Sequence, residues 1–441
     1  MRCPNSIALA ATLALLAPFL ALSSAQTSAP PPSPAAHPAV TSWTNWRGPF
    51  YNGTSNATAL PDKISPDSNL LWSTPLPGPS GATPIIAGGH IYLPASDPAT
   101  KKLRALCLDA ATGKIEWNHE VADIPPANFR NTYASPSAVA DYQGACFLFG
   151  SGDIISCDTA GTTRWSRKLS AEFGRIGNDW VYSSSPLLLN DTLYIQALQR
   201  HGDSFLIALN PKDGKTKWRQ NRPTTAIEES RDAYTTPLPL FLKDSTQILL
   251  LGGDCLTAHE PETGKELWRF GGFNPQQRNN WRIIPSAVAD ADRAYISVAR
   301  GVSTIAIKIG GAEGGGDVTA SHKAWSLDNT GSDSPTSALS NGLLYILDDR
   351  KTLHAVDAAA GTEKTSLRLA GDATFYASPT IADGKIFCLS DSSEVVILSV
   401  DPLKIISRTT LTDKGPARSS ISVIDGKLFV RTATKLWCFT K

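Results

Sequence analysis

Charge of one sign is the first thing this chain lacks: 41 Lys and Arg stand against 40 Asp and Glu, a net of +1. At that balance no long-range field attracts a polyanion or an anionic membrane, which argues against nucleic acid as a partner. Long apolar runs are missing after residue 22, so no later stretch reads as a membrane span. The seven His residues show no metal-ligand spacing, so no metal site is expected, and His201 and His259 read as loop or surface positions. Neither a GxSxG nucleophile elbow nor a P-loop occurs. Seven cysteines form no CxxC, no CxxCH haem attachment site and no adjacent pair. What remains, 41% apolar and 18% charged over 441 residues, is ordinary globular composition with ample material for a large core.

The N-terminus carries Arg2, an apolar run from Ile7 to Leu22 interrupted by Pro18, and then Ser23-Ser24-Ala25. This pattern predicts an export signal over 1–25, cleaved after Ala25. The run of 16 residues is short of the roughly 20 a span needs, and the one early cysteine, Cys3, sits inside the signal, where it cannot anchor a lipid. Residues 26–42, QTSAPPPSPAAHPAVTS, lack an apolar period and read as a disordered tether. The folded domain is expected over 43–441, in a soluble protein exported to the periplasm or beyond. Most of the other six cysteines sit in strand-like apolar runs such as RALCLDA and KLWCFTK, which predicts buried free thiols even where disulfides are permitted.

A repeat of about fifty residues organises the rest, a period that implies a propeller or solenoid. Its clearest copy runs from ATPIIAGGHIYL through LRALCLDAATGK to Trp117: two short strands about a Gly-Gly turn, a third strand, an Asp-x-x-Thr-Gly turn, and an outer strand with a Trp. The opening proline returns at Pro84, Pro136, Pro186, Pro237, Pro285, Pro335 and Pro379, steps of 52, 50, 51, 48, 50 and 44, and an eighth copy opens at Ser419 with Ser420 in the proline's place. Four residues separate the turn Gly from its Trp each time: Gly113 and Trp117, Gly161 and Trp165, Gly214 and Trp218, Gly264 and Trp268. A Gly-rich insertion, Ile309 to Asp317, blurs copy five before Trp325, and copies six and seven carry Thr365 and Thr409 at the Trp position. The last copy ends at Lys441 without an outer strand, while Asn69 to Leu76 supplies an orphan outer strand with Trp72 ahead of the first. Pairing the two closes a ring and removes an exposed edge. The expected fold is therefore all-β: an eight-bladed β-propeller of four-stranded antiparallel blades, closed by the N-terminal strand.

The elements CLDAATGKIEW, ALNPKDGKTKW and AHEPETGKELW, with openings such as SPTIADGKIF, resemble the tryptophan-docking repeats of the pyrroloquinoline quinone (PQQ) dehydrogenase propellers. The likeness runs from Leu70 to Lys441, and WTNWRGPFYNGTS before it looks like the lead-in of exported bacterial PQQ-like repeat proteins. That group also resembles the propeller lipoprotein of outer-membrane β-barrel assembly, which binds partners and performs no chemistry. The resemblance to the enzymes implies a quinone, a Ca²⁺ held by carboxylate and amide oxygens, a carboxylate base and often a disulfide of adjacent cysteines. This chain has no adjacent cysteines and, at 416 mature residues (441 − 25), little beyond eight blades. The leading expectation is a non-catalytic exported propeller with no cofactor that binds a protein, peptide or anionic ligand. A compact PQQ- and calcium-dependent dehydrogenase for an alcohol or sugar is the alternative.

In such a ring the loops between blades, and the second-to-third strand hairpins, open onto one face around the axis. Candidates there are Arg130, Arg175, Asp179, Trp180, Arg231, Asp232, Asn280, Trp281, Arg282, Arg350 and Arg418. Guanidinium groups from nearly every blade suit a carboxylate or phosphate. The competing reading is that Arg175 with Asp179, and Arg231 with Asp232, are pairs that tie blades together, and that Trp180 and Trp281 pack against neighbours. Asp179, Asp232, Asn280 and Asp372 are the oxygen donors available to a Ca²⁺, without a dense cluster in any loop.

Overall fold

Each repeat folds as its alternation dictates. In the first, Ile85–Ala87, His90–Asp97, Lys102–Asp109 and Ile115–Asp123 form a four-stranded antiparallel sheet. The two middle strands are almost wholly buried, as expected where both faces of a blade pack on neighbouring blades, and the outer strand alternates half-buried and exposed. Eight such sheets are present in the computed structural model, which describes residues 42–126, 131–309, 315–413 and 415–441. We number the blades by their inner strands, from blade 1 at Ile85–Ala87 to blade 8 at Ser422–Ile424. The expected export signal and all but the last residue of the tether lie outside the described residues.

The ring closes as the repeat count requires. Leu70–Pro75 pairs antiparallel with Lys435–Phe439 as the outermost strand of blade 8, with Ser73 opposite Trp437. One apolar cluster runs through this joint, uniting Ile85 and Leu106 of blade 1 with Phe429 and Leu436 of blade 8.

The Gly-to-Trp spacing is a docking device. Each indole lies flat on the turn glycine of the following blade: a Cβ built on Gly161 would meet the Trp117 ring at 2.8 Å, on Gly214 the Trp165 ring at 2.6 Å, and on Gly264 the Trp218 ring at 2.4 Å. These glycines also have φ of +89°, +72° and +75°, so both sterics and backbone exclude a side chain. The indole N–H then donates to a turn carbonyl: Trp117 to Thr159 at 3.1 Å, Trp165 to Pro211 at 2.8 Å, Trp218 to Pro261 at 3.1 Å. Trp72 of the closing strand sits on Gly113 in the same manner, 2.3 Å from its virtual Cβ. Trp268 departs from the pattern. The end of the insertion, Gly316–Asp317, adds a fifth, parallel strand beside it, and its indole N–H turns to Gln247 of its own blade at 3.0 Å. In blade 7, Thr409 and Ser407 instead donate to the carbonyls of Ile64 and Asp62, so the lead-in segment covers that edge.

The opening prolines are not one structural position, and this corrects the alignment on them. Pro84, Pro186, Pro237 and Pro379 directly precede their inner strands, whereas Pro136, Pro285 and Pro335 lie two residues further back. The equivalent position is a hydroxyl two residues before every inner strand: Thr83, Ser137, Ser185, Thr236, Ser286, Thr336, Ser378 and Ser420. Each backbone N–H donates to the hydroxyl of the next blade, at 2.9 Å from Thr83 to Ser137 and from Ser137 to Ser185, and onward through Thr236, Ser286, Thr336 and Ser378 to Ser420. Seven bonds of about 1 kcal/mol each thus register the blades around the axis. Between blades 8 and 1, Ser422 Oγ donates to the Pro84 carbonyl at 2.6 Å.

Beyond this hydroxyl ring the lead-in segment crosses the axis. Its backbone pairs with Ile86 of blade 1 at Trp43, with Leu339 of blade 6 at Asn52 and with Ile381 of blade 7 at Gly53. Arg47 is buried there, donating through Nη2 to the carbonyls of Ser337 and Pro379 at 3.2 and 3.0 Å. Burial alone lowers its pKa to about 9, which leaves the guanidinium charged at neutral pH.

Candidate functional site

Plugged at one end, the axis is a funnel open toward the inter-blade loops, with a volume of about 750 Å³. That lies within the usual 300–1,000 Å³ of small-ligand sites. Its wall follows from the repeat: the residue two places before the ring hydroxyl faces the axis in all eight blades. Blades 1 to 3 contribute Gly81, Ser135 and Ser183, a continuous arc of small residues; blades 4 and 5 contribute Tyr234 and Ile284; blades 6 to 8 contribute Ser334, Tyr376 and Arg418. Ring hydroxyls of Ser137, Ser185, Thr236, Ser378 and Ser420 reach the same space, and Trp46 of the lead-in is part of the wall.

Charge sits at the mouth, with the guanidinium groups of Arg282, Arg300 and Arg418 against the carboxylates of Glu229 and Asp333. Arg282 donates to both carboxylate oxygens of Asp333 at 3.2 and 3.1 Å and lies 3.5 Å from Glu229. Arg300 donates its backbone N–H to the same Asp333 and a guanidinium N–H to the Asn280 carbonyl. Arg418 lies over the Tyr376 ring at 5.4 Å and donates to Asn131. Burial raises the Tyr234 hydroxyl well above its ordinary pKa, so it stays a neutral donor in the wall.

Of the residues expected at the face, Trp180, Arg282 and Arg418 line the funnel, and Trp180 is about half exposed. Asn280 reaches it through its carbonyl contact with Arg300. Arg175 lines a separate cavity of about 200 Å³ with Ile176 and Tyr182. It pairs with Asp179 at 3.2 Å, and His201 also meets Asp179, at 2.9 Å; that hydrogen bond, ahead of the nearby Arg200, lowers the Asp179 pKa. Asp232 corrects the expected pairing. Its partner is Arg200, which donates a backbone N–H and Nε at 2.8 Å each, rather than the adjacent Arg231. Burial raises the Asp232 carboxyl, and the Arg200 contacts offset only part of that. Trp281 is buried in a core cluster, with its indole N–H on the Phe273 carbonyl at 3.0 Å and Arg278 over its ring. Arg350 is exposed and pairs with Asp348. Arg130 lies outside the described residues. His259 is not a surface residue: it is fully buried between Gly264 O and Thr257 Oγ1, and burial lowers it to about 4. Arg175, Asp179, Arg231, Asp232, Trp281 and Arg282 therefore do not converge on one pocket.

Sequence reasoning missed Trp46, Tyr234, Tyr376, Glu229 and Asp333 as funnel residues. A period-two count back from each inner strand finds the eight wall residues, but only once the copies are aligned on the hydroxyl and not on the proline.

The donor set fits a calcium-bound quinone poorly. The two funnel carboxylates, Glu229 and Asp333, have Arg282 beside both, a fixed positive charge where a cation would need their oxygens. Among the described residues, no group of three or more His, Cys, Asp or Glu with converging ligand atoms lies in the funnel. Cys107, Cys146, Cys157, Cys255, Cys388 and Cys438 are all free and buried in strands, so among the described residues no disulfide platform faces the axis.

Three overlapping matches, to residues 64–180, 150–313 and 256–430, fit the sequence profile of the family described as outer membrane protein assembly factor BamB, with PQQ-type repeats. No curated protein matches in sequence. Among solved structures, a europium-containing methanol dehydrogenase superimposes with a TM-score of 0.66 at 10% identity, over 91% of this chain and 98% of that one. BamB from Moraxella catarrhalis superimposes with 0.58 at 14%, over 84% and 99%. Quinohemoprotein alcohol dehydrogenase from Comamonas testosteroni gives 0.65 at 12%, over 90% and 80%. At these identities the likeness is one of fold.

Proposed function

Because the chain belongs to the BamB family of PQQ-repeat propellers, we propose that it is a non-catalytic exported binding protein that receives part of a protein, peptide or anionic partner in its axial funnel. The observation that supports this is the Arg282 bridge. Glu229 and Asp333 are the acidic residues lining the funnel, and both are committed to a guanidinium instead of to a metal or a reacting proton. The wall around them is built for recognition. Aromatic faces at Trp46, Trp180, Tyr234 and Tyr376 alternate with hydroxyls and with Arg300 and Arg418, while the small-residue arc of blades 1 to 3 leaves space for the guest. No helix among the described residues is long and apolar enough to cross a membrane, and the N-terminal segment carries the features of an export signal.

The alternative, a compact quinoprotein dehydrogenase, draws on the fold shared with the two dehydrogenases. It would need Arg282 to release its carboxylates. A photo-crosslinking amino acid placed at Ser334 in the funnel, against exposed Tyr142 in the turn after the inner strand of blade 2 as control, tests the binding reading in cells. A single defined adduct from Ser334, lost when Ser135→Trp fills the arc, is expected; adducts indifferent to the filled funnel, or none from it, would refute the proposal.

A further inference from the structure

Away from the funnel, three donor side chains of different chemistry meet on blade 1. His90 heads the second strand, Cys107 lies in the third and Glu116 in the fourth. His90 and Tyr92 share a face by period two, and Tyr92 stands directly opposite Cys107. Glu116 would point elsewhere in a regular ladder. The register slips between Cys107 and Leu108, which makes Glu116 the extra residue of a bulge. Its Oε2 comes to 2.7 Å from His90 Nδ1 and 3.4 Å from Cys107 Sγ. All three ligand atoms lie within 4.8 Å of one another.

The repeats themselves show that the fold does not require this set. The same three positions carry Gly144, Ser156 and Arg164 in blade 2, and Thr192, Ala208 and Lys217 in blade 3. In blades 5 and 6 they carry Arg293, Ala306 and Ala324, and Leu343, Ala355 and Lys364. Alanine fills the Cys107 position in blades 3 to 6, while blade 7 has Ile397 and blade 8 has Cys438 there, so a buried thiol alone is tolerated by packing and its conjunction with His90 and Glu116 is what sets blade 1 apart. The Tyr92 hydroxyl, buried on the same face, has no hydrogen-bond partner.

We propose that His90, Cys107 and Glu116 form a site for one borderline-soft divalent cation, zinc above all. Nitrogen, thiolate and carboxylate together suit zinc and not calcium or magnesium, and three protein ligands leave one position open. Tetrahedral zinc holds such ligands roughly 3.3 to 3.6 Å apart. The pairs to Glu116 need to adjust by only a few tenths of an ångström, and His90 and Glu116 are partly exposed, with 24% and 34% of their side-chain surface open, so they have the freedom to do so. In the metal-free protein the Sγ–H and Nδ1–H protons both point at the carboxylate, where the cation would replace them. Zn²⁺ displaces the Cys107 proton to solvent as the S–Zn bond forms, and the imidazole proton moves from Nδ1 to Nε2, so one proton leaves per metal.

Calorimetric titration of the full chain with zinc chloride in two buffers of different protonation enthalpy tests this. A stoichiometry of one, release of about one proton and no competition from calcium are expected. Cobalt in place of zinc should show a thiolate-to-metal charge-transfer band. His90→Gln and Glu116→Gln keep the packing, and Cys107→Ala installs the residue of blades 3 to 6. Each should weaken zinc at least 10-fold, and Cys107→Ala should abolish the cobalt band. Absence of saturable binding, or affinity unchanged in these variants with their melting temperatures intact, would overturn the proposal.

Discussion

Gly264→Ala isolates the docking of one blade on the next. The new Cβ would lie 2.4 Å from Cζ3 of Trp218, about 1 Å inside ordinary contact, at a φ of +75°. The left-handed backbone costs about 1 kcal/mol for alanine. Moving the indole away breaks its hydrogen bond to the Pro261 carbonyl, worth about 1 kcal/mol, and re-exposes ring surface worth about 1–2 kcal/mol more. The expected loss is about 3–4 kcal/mol in all. Gly342→Ala is the matched control: its φ is +73°, yet nothing lies within 4 Å of a built Cβ, so only the backbone cost of about 1 kcal/mol remains. Equilibrium urea unfolding of both variants, followed by tryptophan fluorescence and far-UV circular dichroism, measures the difference. Equal losses from the two substitutions would refute the idea that glycine is held there by the neighbouring indole.

The hydroxyl ring predicts that Ser137→Ala, which orphans the buried Thr83 N–H, destabilises the protein by about 1–3 kcal/mol, whereas Ser297→Ala, whose buried hydroxyl has no partner, costs far less in the same urea assay. Asp254 governs one part of the pH profile. Burial, against the Asn274 hydrogen bond, raises its carboxyl to about 6 in the folded state, so the fold binds its proton more tightly than the unfolded chain. Its contribution is intact below the unfolded value near 4 and is lost as pH rises through about 6. Asp254→Asn should therefore raise the unfolding free energy from urea titration at pH 7.5 by about 1–2 kcal/mol, after allowance for solvent screening, and leave it unchanged at pH 4; an equal gain at both pH values would contradict the assignment.

How much of this was legible in the sequence depended on how local each device is. The turn Gly and its Trp lie four residues apart, so the docking element is visible in a single line of sequence, and so are the orphan strand at Trp72 and the missing outer strand of the last copy. The funnel wall was hidden by the prolines. Pro84 and Pro136 both stiffen an approach to the axis, but from opposite sides of the ring hydroxyl, so counting from proline puts three blades two residues out of register. The ion pairs were hidden by distance along the chain. Asp232 has Arg231 beside it in sequence, but Arg231 ends the 3-10 turn Glu228–Arg231, and it is Arg200, arriving from the hairpin of the previous blade, that meets the carboxylate. Arg282 was identifiable as a loop residue; that it closes on Glu229 and Asp333 follows only from bringing two inter-blade loops together. His259 read as a surface residue because it stands at the end of a strand, but the turn that follows folds Gly264 back over its ring.

The Arg282 bridge makes the most exposed statement about function: with both funnel carboxylates occupied, the axis should not assemble a calcium-bound quinone. Titrating the purified protein with PQQ and Ca²⁺, with bound cofactor followed by absorbance and turnover by dye reduction over a panel of alcohols and sugars, tests this directly. No saturable 1:1 uptake and no dye reduction above the cofactor-free control are expected. Stoichiometric PQQ binding accompanied by substrate-dependent reduction would contradict that expectation.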